Sequence, residues 1–236
     1  MTPAVSAAGL RKSFGSVRAV DDLTWSAGLG QITAVLGPNG AGKTTTMEIL
    51  EGLQRADAGE ARVLGTDPWD APAEHRARVG VMLQDGGLPN GARPVALLRH
   101  LASLYAAPLP VDDLVQRLGI DRFAGTTVRR LSGGQKQRVA LAASLVGDPE
   151  VVFLDEPTAG LDPHARLDVY DLVREVRDRG VGVVVTTHSF EEAERLADHL
   201  VVISDGRVVG DGTPSSLCAG RPLEDVYFEL TRKVHR

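Results

Sequence analysis

Gly37-Pro38-Asn39-Gly40-Ala41-Gly42-Lys43-Thr44 fits G-x-x-x-x-G-K-[ST], the spacing of a loop that cradles phosphate. Glycines at these positions let successive backbone N–H groups turn inward around an anion. Lys43 can reach the β- and γ-phosphates of a nucleotide, and the Thr44 hydroxyl can hold Mg²⁺. Further along, Val151-Val-Phe-Leu154 runs into two carboxylates, Asp155 and Glu156. Nucleotide hydrolysis needs one carboxylate for Mg²⁺ and another to orient and deprotonate water. Neighbours at a strand end point in different directions, so Asp155 is assigned to the metal and Glu156 to the base. Charges at strand ends also occur in plain solvated loops. The Lys43 loop in the same chain favours the chemical reading.

Two further positions belong with these. His188 follows the apolar run Val183–Thr187 and should stand at the C-terminal edge of a sheet, where ligand sites of α/β proteins form. There it could contact a γ-phosphate. His75, His100, His164, His199 and His235 lack that placement and read as surface or helix residues. Leu131-Ser132-Gly133-Gly134-Gln135 contains a capping box, Ser132-x-x-Gln135, ahead of a helix over Lys136–Val146. A capped helix is one complete explanation of it. The two glycines also strip the helix mouth of side chains, which makes it an anion site. A second phosphate cradle in a chain with one Lys-Thr pair suggests that it serves the nucleotide of another molecule.

The elements that must hold these residues follow from periodicity and breakers. Val5–Leu10 and Val17–Trp25 read as strands around a turn at Gly15-Ser16, with Phe14 just before it. Ile32–Leu36 is a buried strand feeding the phosphate loop, and Thr45–Leu50 a helix stopped by Gly52. Ala61–Leu64 and Val79–Leu83 are strands, the second ending at Gln84. A helix opens at Pro94 with Leu97, Leu98, Leu101, Leu104 and Tyr105 on one face. A short helix covers Asp112–Leu118. Asp162-Pro163 starts a helix to Gly180, as an N-cap followed by proline does, with Leu167, Leu172, Val173 and Val176 inward. Val181–Thr187 is a strand buried on both faces. Ser189-x-x-Glu192 caps the next helix as a capping box. His199–Ser204 and Arg207–Val209 close as a hairpin through Asp205-Gly206, and Leu223–Leu230 is a surface helix.

At 236 residues with net charge −5, the chain can bury a real core and shows no basic excess of the kind nucleic-acid binders carry. The single cysteine, Cys218, excludes an internal disulfide and fits a reducing compartment. No apolar run approaches the roughly 18–20 residues needed to span a bilayer, and the N-terminus lacks the pattern of a signal peptide. The expectation is a cytoplasmic protein with no direct membrane insertion, whose membrane role runs through a partner.

In combination, Gly37–Thr44, Gln84, Leu131-Ser-Gly-Gly-Gln135, Asp155-Glu156, Ala159-Gly-Leu-Asp162 and His188 resemble the ATP-binding subunits of ABC transporters over nearly the whole chain. They match, in order, Walker A, the Q-loop, the signature, Walker B, the D-loop and the switch histidine. The resemblance implies an α/β fold: a P-loop NTPase, RecA-like core with an N-terminal antiparallel β subdomain and an inserted α-helical signature subdomain. Residues 1–85 and 147–215 would form the core, 86–146 the helical subdomain and 216–236 a helical tail. It implies ATP and Mg²⁺ as cofactors and a head-to-tail homodimer sandwiching two ATP molecules. Gly37 to Thr45, including Thr45 itself, would face one subunit's nucleotide, and Ser132, Gly133, Gly134, Gln135 and Asp162 would serve the other's. Lys43, Gln84, Glu156 and His188 would act in catalysis, and Thr44, Gln84 and Asp155 at the metal. Phe14 matches the aromatic position that stacks on adenine, and it could equally be a core strand residue.

Glu51-Gly-Leu-Gln, Met82-Leu-Gln-Asp-Gly-Gly-Leu-Pro, Leu154–Pro163 and Thr187–Glu194 look most like drug- and antibiotic-type exporter ATPases, which pair with a separate integral membrane permease subunit. Relatives often open the helix after the Q-loop with a Glu; Gly91-Ala-Arg-Pro-Val-Ala-Leu97 has no acid. An importer ATPase and a soluble ATPase of cofactor assembly are the rival readings.

Overall fold

The computed structural model describes residues 3–83 and 87–232. Strands β1 (Val5–Phe14), β2 (Val17–Ala27) and β4 (Ala58–Val63) form an antiparallel sheet in the order β2-β1-β4. A second sheet runs β5-β6-β7-β3-β8-β9, from β3 (Ile32–Leu36), β5 (Val79–Met82), β6 (Val151–Asp155), β7 (Gly182–Thr186), β8 (His199–Ser204) and β9 (Arg207–Gly212). Its first five strands are parallel and β9 closes antiparallel on β8.

Helix α1 (Lys43–Leu50) follows β3, and α2 (Ala73–Arg76) precedes β5. Between β5 and β6 lie α3 (Pro94–Ala102), α4 (Val111–Arg117), two 3-10 turns and α5 (Gly133–Leu145). Helices α6 (Pro163–Asp178) and α7 (Phe190–Leu196) flank β7, and α8 (Pro214–Cys218) and α9 (Leu223–Arg232) end the described chain. This is the expected P-loop NTPase core, with an N-terminal β subdomain and helical insertions.

Strands β3, β6 and β7 are buried along their whole length, which explains why they lack polar alternation. Alternate side chains enter different cores. Val152 and Leu154 join Leu98, Leu141 and Val173 on the helical side, whereas Phe153 joins Leu10, Trp25 and Met47 toward the β subdomain. The register then fixes where these strands end. Asp155 pairs with Thr186, and Thr186 pairs with Val35 on β3. The ends of β6, β7 and β3 therefore lie in one row, and the chemistry-bearing residues follow directly from it.

Three expectations about burial are corrected. Leu104 is 67 % exposed because α3 stops at Ala102, before its helical face can include it. Leu167 is 47 % exposed: the buried stripe of α6 runs through Val169, Leu172, Val173 and Val176, and Leu167 falls nearly opposite it at 3.6 residues per turn. His75 lies on α2 but is buried, lining a cavity of about 140 Å³ with Glu51 and Arg76. Burial holds its imidazole below the usual histidine range.

Candidate functional site

The phosphate loop leaves β3 through two glycines that nothing larger can replace. A Cβ on Gly37 would lie 2.3 Å from the Ile203 carbonyl oxygen, and one on Gly42 2.2 Å from that of Ala19. Gly42 also has φ +95°, a left-handed backbone suited to glycine. The Ala41 carbonyl accepts from Gly206 N at 2.9 Å, so β2 and the β8–β9 turn clamp the loop from outside. Lys43 Nζ lies across it, donating to the carbonyls of Gly37 at 2.6 Å and Pro38 at 3.0 Å. Burial lowers the Lys43 pKa, and the charges of Glu156 and Asp155 push it back up. Gly42 opens α1 without a side-chain cap, and the first turn holds no acid. The loop's inner wall, the uncapped helix start and the ammonium form a cradle that fits a nucleotide's phosphates.

The two carboxylates stand at the end of β6. Asp155 is 9 % exposed and its Oδ1 accepts a hydrogen bond from Thr186 Oγ1. Glu156 has φ +47°, a strained backbone for a non-glycine residue. Four polar groups secure it. Its N–H donates to the Thr186 carbonyl at 3.1 Å and to Thr186 Oγ1 at 3.2 Å, and its carbonyl accepts from Ala159 N at 3.1 Å and Gln137 Nε2 at 2.7 Å. The turn swings the Glu156 carboxylate toward β7, where its Oε1 lies 3.0 Å from His188 Nδ1. A carboxylate only accepts, so Nδ1 carries the proton in this contact. The imidazole is largely exposed, as a side chain meeting a ligand must be. Among the described residues, no group of three or more His, Cys, Asp or Glu side chains is placed to hold a metal ion. Asp155 and the exposed Thr44 hydroxyl are the oxygen donors offered, and Mg²⁺ commonly takes its other oxygens from phosphate and water.

The signature stretch forms the complete capping box expected: Gln135 N donates to Ser132 Oγ at 3.2 Å, and Gln135 Oε1 accepts from Ser132 N at 3.0 Å. Ser132 and Gly133 are exposed at the mouth of α5. A Cβ on Gly134 would meet the Gly160 carbonyl at 3.0 Å, so the mouth rests on residues 160–161 of its own chain. Asp162 caps α6 through Ala165 N at 3.0 Å and faces Arg138 of α5 at 3.5 Å; these contacts hold its carboxyl below the usual range. Phe14 is not a core residue. It pairs with Val17, itself two residues before Ala19, at the tip of the β1–β2 hairpin, and is 48 % exposed with Lys12 Nζ 5.7 Å from its ring centroid. Gln84 lies outside the described residues.

The structure adds residues that motif spacing passed over. Gln137 holds the Glu156 carbonyl, and Thr186 serves both carboxylate residues. Thr186 is the hydroxyl in the otherwise apolar, fully buried run of β7, which is the signal for it; Gln137 carries none beyond its helix. Glu51, at the end of α1, has its carboxyl pushed up to about 8 by burial and then by the charges of Asp155 and Glu48. The Ser189 capping box forms only by half. Ser189 Oγ accepts from Glu192 N at 3.2 Å, but Ser189 N donates to Thr187 Oγ1 at 3.0 Å, leaving the Glu192 carboxyl for other partners.

Comparison with known proteins supplies the family. The ABC transporter profile matches residues 20–159. Daunorubicin resistance ATP-binding protein DrrA3 of Streptomyces coeruleorubidus is 41 % identical over 221 residues, 92 % of this chain and 70 % of that protein. Nod factor export ATP-binding protein I of Ralstonia nicotianae is 40 % identical over 96 % of this chain and 73 % of its own. Among solved structures, an ATP-binding subunit of an ABC transporter superposes with a TM-score of 0.89 at 26 % identity, covering 98 % of this chain and all of that one. A dimeric ATP-binding cassette in a post-hydrolysis state with ADP and phosphate shares the fold, with a TM-score of 0.79 at 23 % identity over 89 % of this chain and 98 % of its own. Among the described residues no helix is long and apolar enough to cross a membrane. The strand-end carboxylates, the phosphate cradle and these likenesses agree: the chain belongs to the ABC transporter family, as an ATP-binding, ATP-hydrolysing subunit coupled to transport.

Proposed function

We propose that this subunit powers export of a small, drug- or antibiotic-like molecule through a separate membrane permease. The functions named for its relatives, daunorubicin resistance and Nod factor export, support the direction and the cargo class. The observation that carries the catalytic half is the 3.0 Å contact of Glu156 with His188, at the strand row that also delivers Lys43.

In this reading, ATP with Mg²⁺ brings the scissile phosphoanhydride and the charge neutralisation that phosphoryl transfer needs. Gly37 to Thr45 cradle the phosphates, with Lys43 at the β- and γ-phosphates. Asp155, Thr44 and Gln84 would hold the metal. Glu156 orients the attacking water and takes its proton. His188 keeps the Glu156 carboxylate aimed through Nδ1 and presents Nε2 to the γ-phosphate. Phe14 stacks on adenine. Ser132, Gly133, Gly134, Gln135 and Asp162 complete the site of a second copy in a head-to-tail homodimer. Residues 1–85 and 147–215 form the core, 86–146 the helical subdomain and 216–236 the tail.

Coupling runs through the groove around residues 86–98. Beside it lies a cleft of about 530 Å³ lined by Arg93, Arg129 and Arg130, with Asn90, Thr126 and Thr127. It supplies a hydrogen-bonding wall of guanidinium, hydroxyl and amide groups. Purification from detergent-solubilised cells tests the coupling: a permease with several spanning helices should be recovered with the chain, and recovery of soluble partners alone overturns export and import alike. A substrate-binding lipoprotein co-purifying with them would favour import.

A further inference from the structure

Glu192 is 2 % exposed, and its carboxyl spans two loops. Thr158 Oγ1 donates to its Oε1 at 2.9 Å, and Thr187 Oγ1 donates to its Oε2 at 2.5 Å. Both threonines are buried, at 6 % and 1 % exposure. Thr158 lies two residues after Glu156, and Thr187 immediately precedes His188. We propose that Glu192 is a positioning residue: by tying the loop after β6 to the loop after β7, it sets the separation of the Glu156 carboxylate from His188. The inference rests on the roles given to those two residues above.

Helix capping and packing do not account for the carboxyl. The cap of α7 uses the Glu192 backbone N–H and the Ser189 hydroxyl, and the other half of the box is absent. An apolar side chain would fill the same space without the desolvation cost of a buried acid. What an apolar residue cannot supply is two acceptors, one for each loop. Burial pushes the Glu192 carboxyl up, and the two threonine bonds pull it back, with His188 and Arg166 as the nearest cationic influences. Tyr170 of α6 also faces this carboxyl and Thr158. Among the described residues the other ties between these loops are the Glu156–His188 contact itself and the bonds of the Glu156 N–H to Thr186, so releasing the staple lets His188 shift relative to Glu156. A misplacement of about 1 Å at a reacting centre costs about 10²-fold in rate.

The test is a mutant cycle on the full chain. Glu192→Leu removes both acceptors at similar volume and should lower kcat by about 10–100-fold, with KM for ATP changed less than about twofold. Glu192→Gln keeps one acceptor, and its amide can donate to a threonine hydroxyl, so it should recover most of the loss. In a His188→Ala background the Glu192→Leu change should cost less than about threefold more, because residues acting through one another are not additive. Thr158→Val and Thr187→Val each cut one strap and repeat the cycle if Glu192→Leu does not fold. Equal losses with and without His188, or an unchanged kcat in the Leu variant and both Val variants, overturn the positioning role. If His188→Ala and Glu156→Gln themselves leave turnover intact, the catalytic reading beneath it fails instead.

Discussion

Replacing Glu156 by Gln is the sharpest single perturbation of the catalytic reading. The change is nearly isosteric, and what holds Glu156 in place is backbone: its N–H is bound to Thr186 and its carbonyl to Gln137 and Ala159. The strained φ of +47° is therefore kept in the variant. The amide oxygen of Gln can still accept from His188 Nδ1. Only basicity and one negative charge are lost, so the effect isolates the proton-accepting role. A positioned general base is worth about 10²–10⁴ in rate, or about 3–5 kcal/mol on the barrier. Single-turnover phosphate release at saturating ATP and Mg²⁺ should fall by that factor. Nucleotide affinity, measured with a fluorescent analogue, should stay within a few-fold, because Lys43 and the loop carry it. With hydrolysis blocked, an ATP-dependent dimer should accumulate and be visible by light scattering. Phosphate release within threefold of the parent would remove Glu156 from the base role. Slow release without a dimer would leave the base role standing and refute the ATP sandwich.

Other outcomes follow from the same geometry. Gly134→Asp sets a side chain 3.0 Å from the Gly160 carbonyl and a negative charge in the mouth of α5, so turnover should fall at least about tenfold, while nucleotide binding by the monomer, read by calorimetry, is retained. Phe153→Ala empties a fully buried position between two sheets and should cost about 3–5 kcal/mol, seen as a lower denaturation midpoint at an unchanged slope. The Glu51 carboxyl titrates at about 8 in the fold against an ordinary 4.5, so its ionised form is the one the fold disfavours. That contribution to stability is complete below 4.5 and is lost as pH rises through about 8; at 1.4 kcal/mol per unit the upper bound is about 5 kcal/mol. Glu51→Gln should flatten the fall in unfolding midpoint between about pH 4.5 and 8; an equal fall in the variant would assign it to other groups.

The sheet core was legible because its signals are local. Three short apolar runs, each followed by a chemistry-bearing residue, read as buried parallel strands ending at one edge, and the observed row of Val35, Thr186 and Asp155 is that edge. Caps were legible for the same reason: Ser132 and Asp162 bind N–H groups three residues on. What was missed depends on residues distant in sequence. Leu167 has the composition of a core position and points outward, because the core's location is set by the sheet and not by α6 itself. His75 and the half-buried Glu51 come to line one cavity only when α2 and the end of α1 are brought together by the fold. Glu192 fits its capping box by spacing, but Thr187 takes the Ser189 N–H that the box requires.

Gln137 shows how the two halves of the proposed cycle can communicate inside one chain. It lies on α5, one turn beyond the signature mouth, and its amide holds the carbonyl of Glu156 at 2.7 Å. Gly134 rests on Gly160 at the other end of the same loop. Helix α5 therefore touches the loop after β6 on both sides, and a displacement of α5 moves the backbone from which Glu156 projects. Closure of a second copy on the α5 mouth would then do two things at once: supply the missing wall for its partner's nucleotide and steady the base in its own site. Gln137→Ala separates these effects, since it leaves the Ser132–Gln135 cap and the mouth unaltered. It should lower turnover while preserving ATP-dependent dimerisation. Loss of the dimer together with turnover would instead place Gln137 in the interface and break the proposed link between α5 and the base.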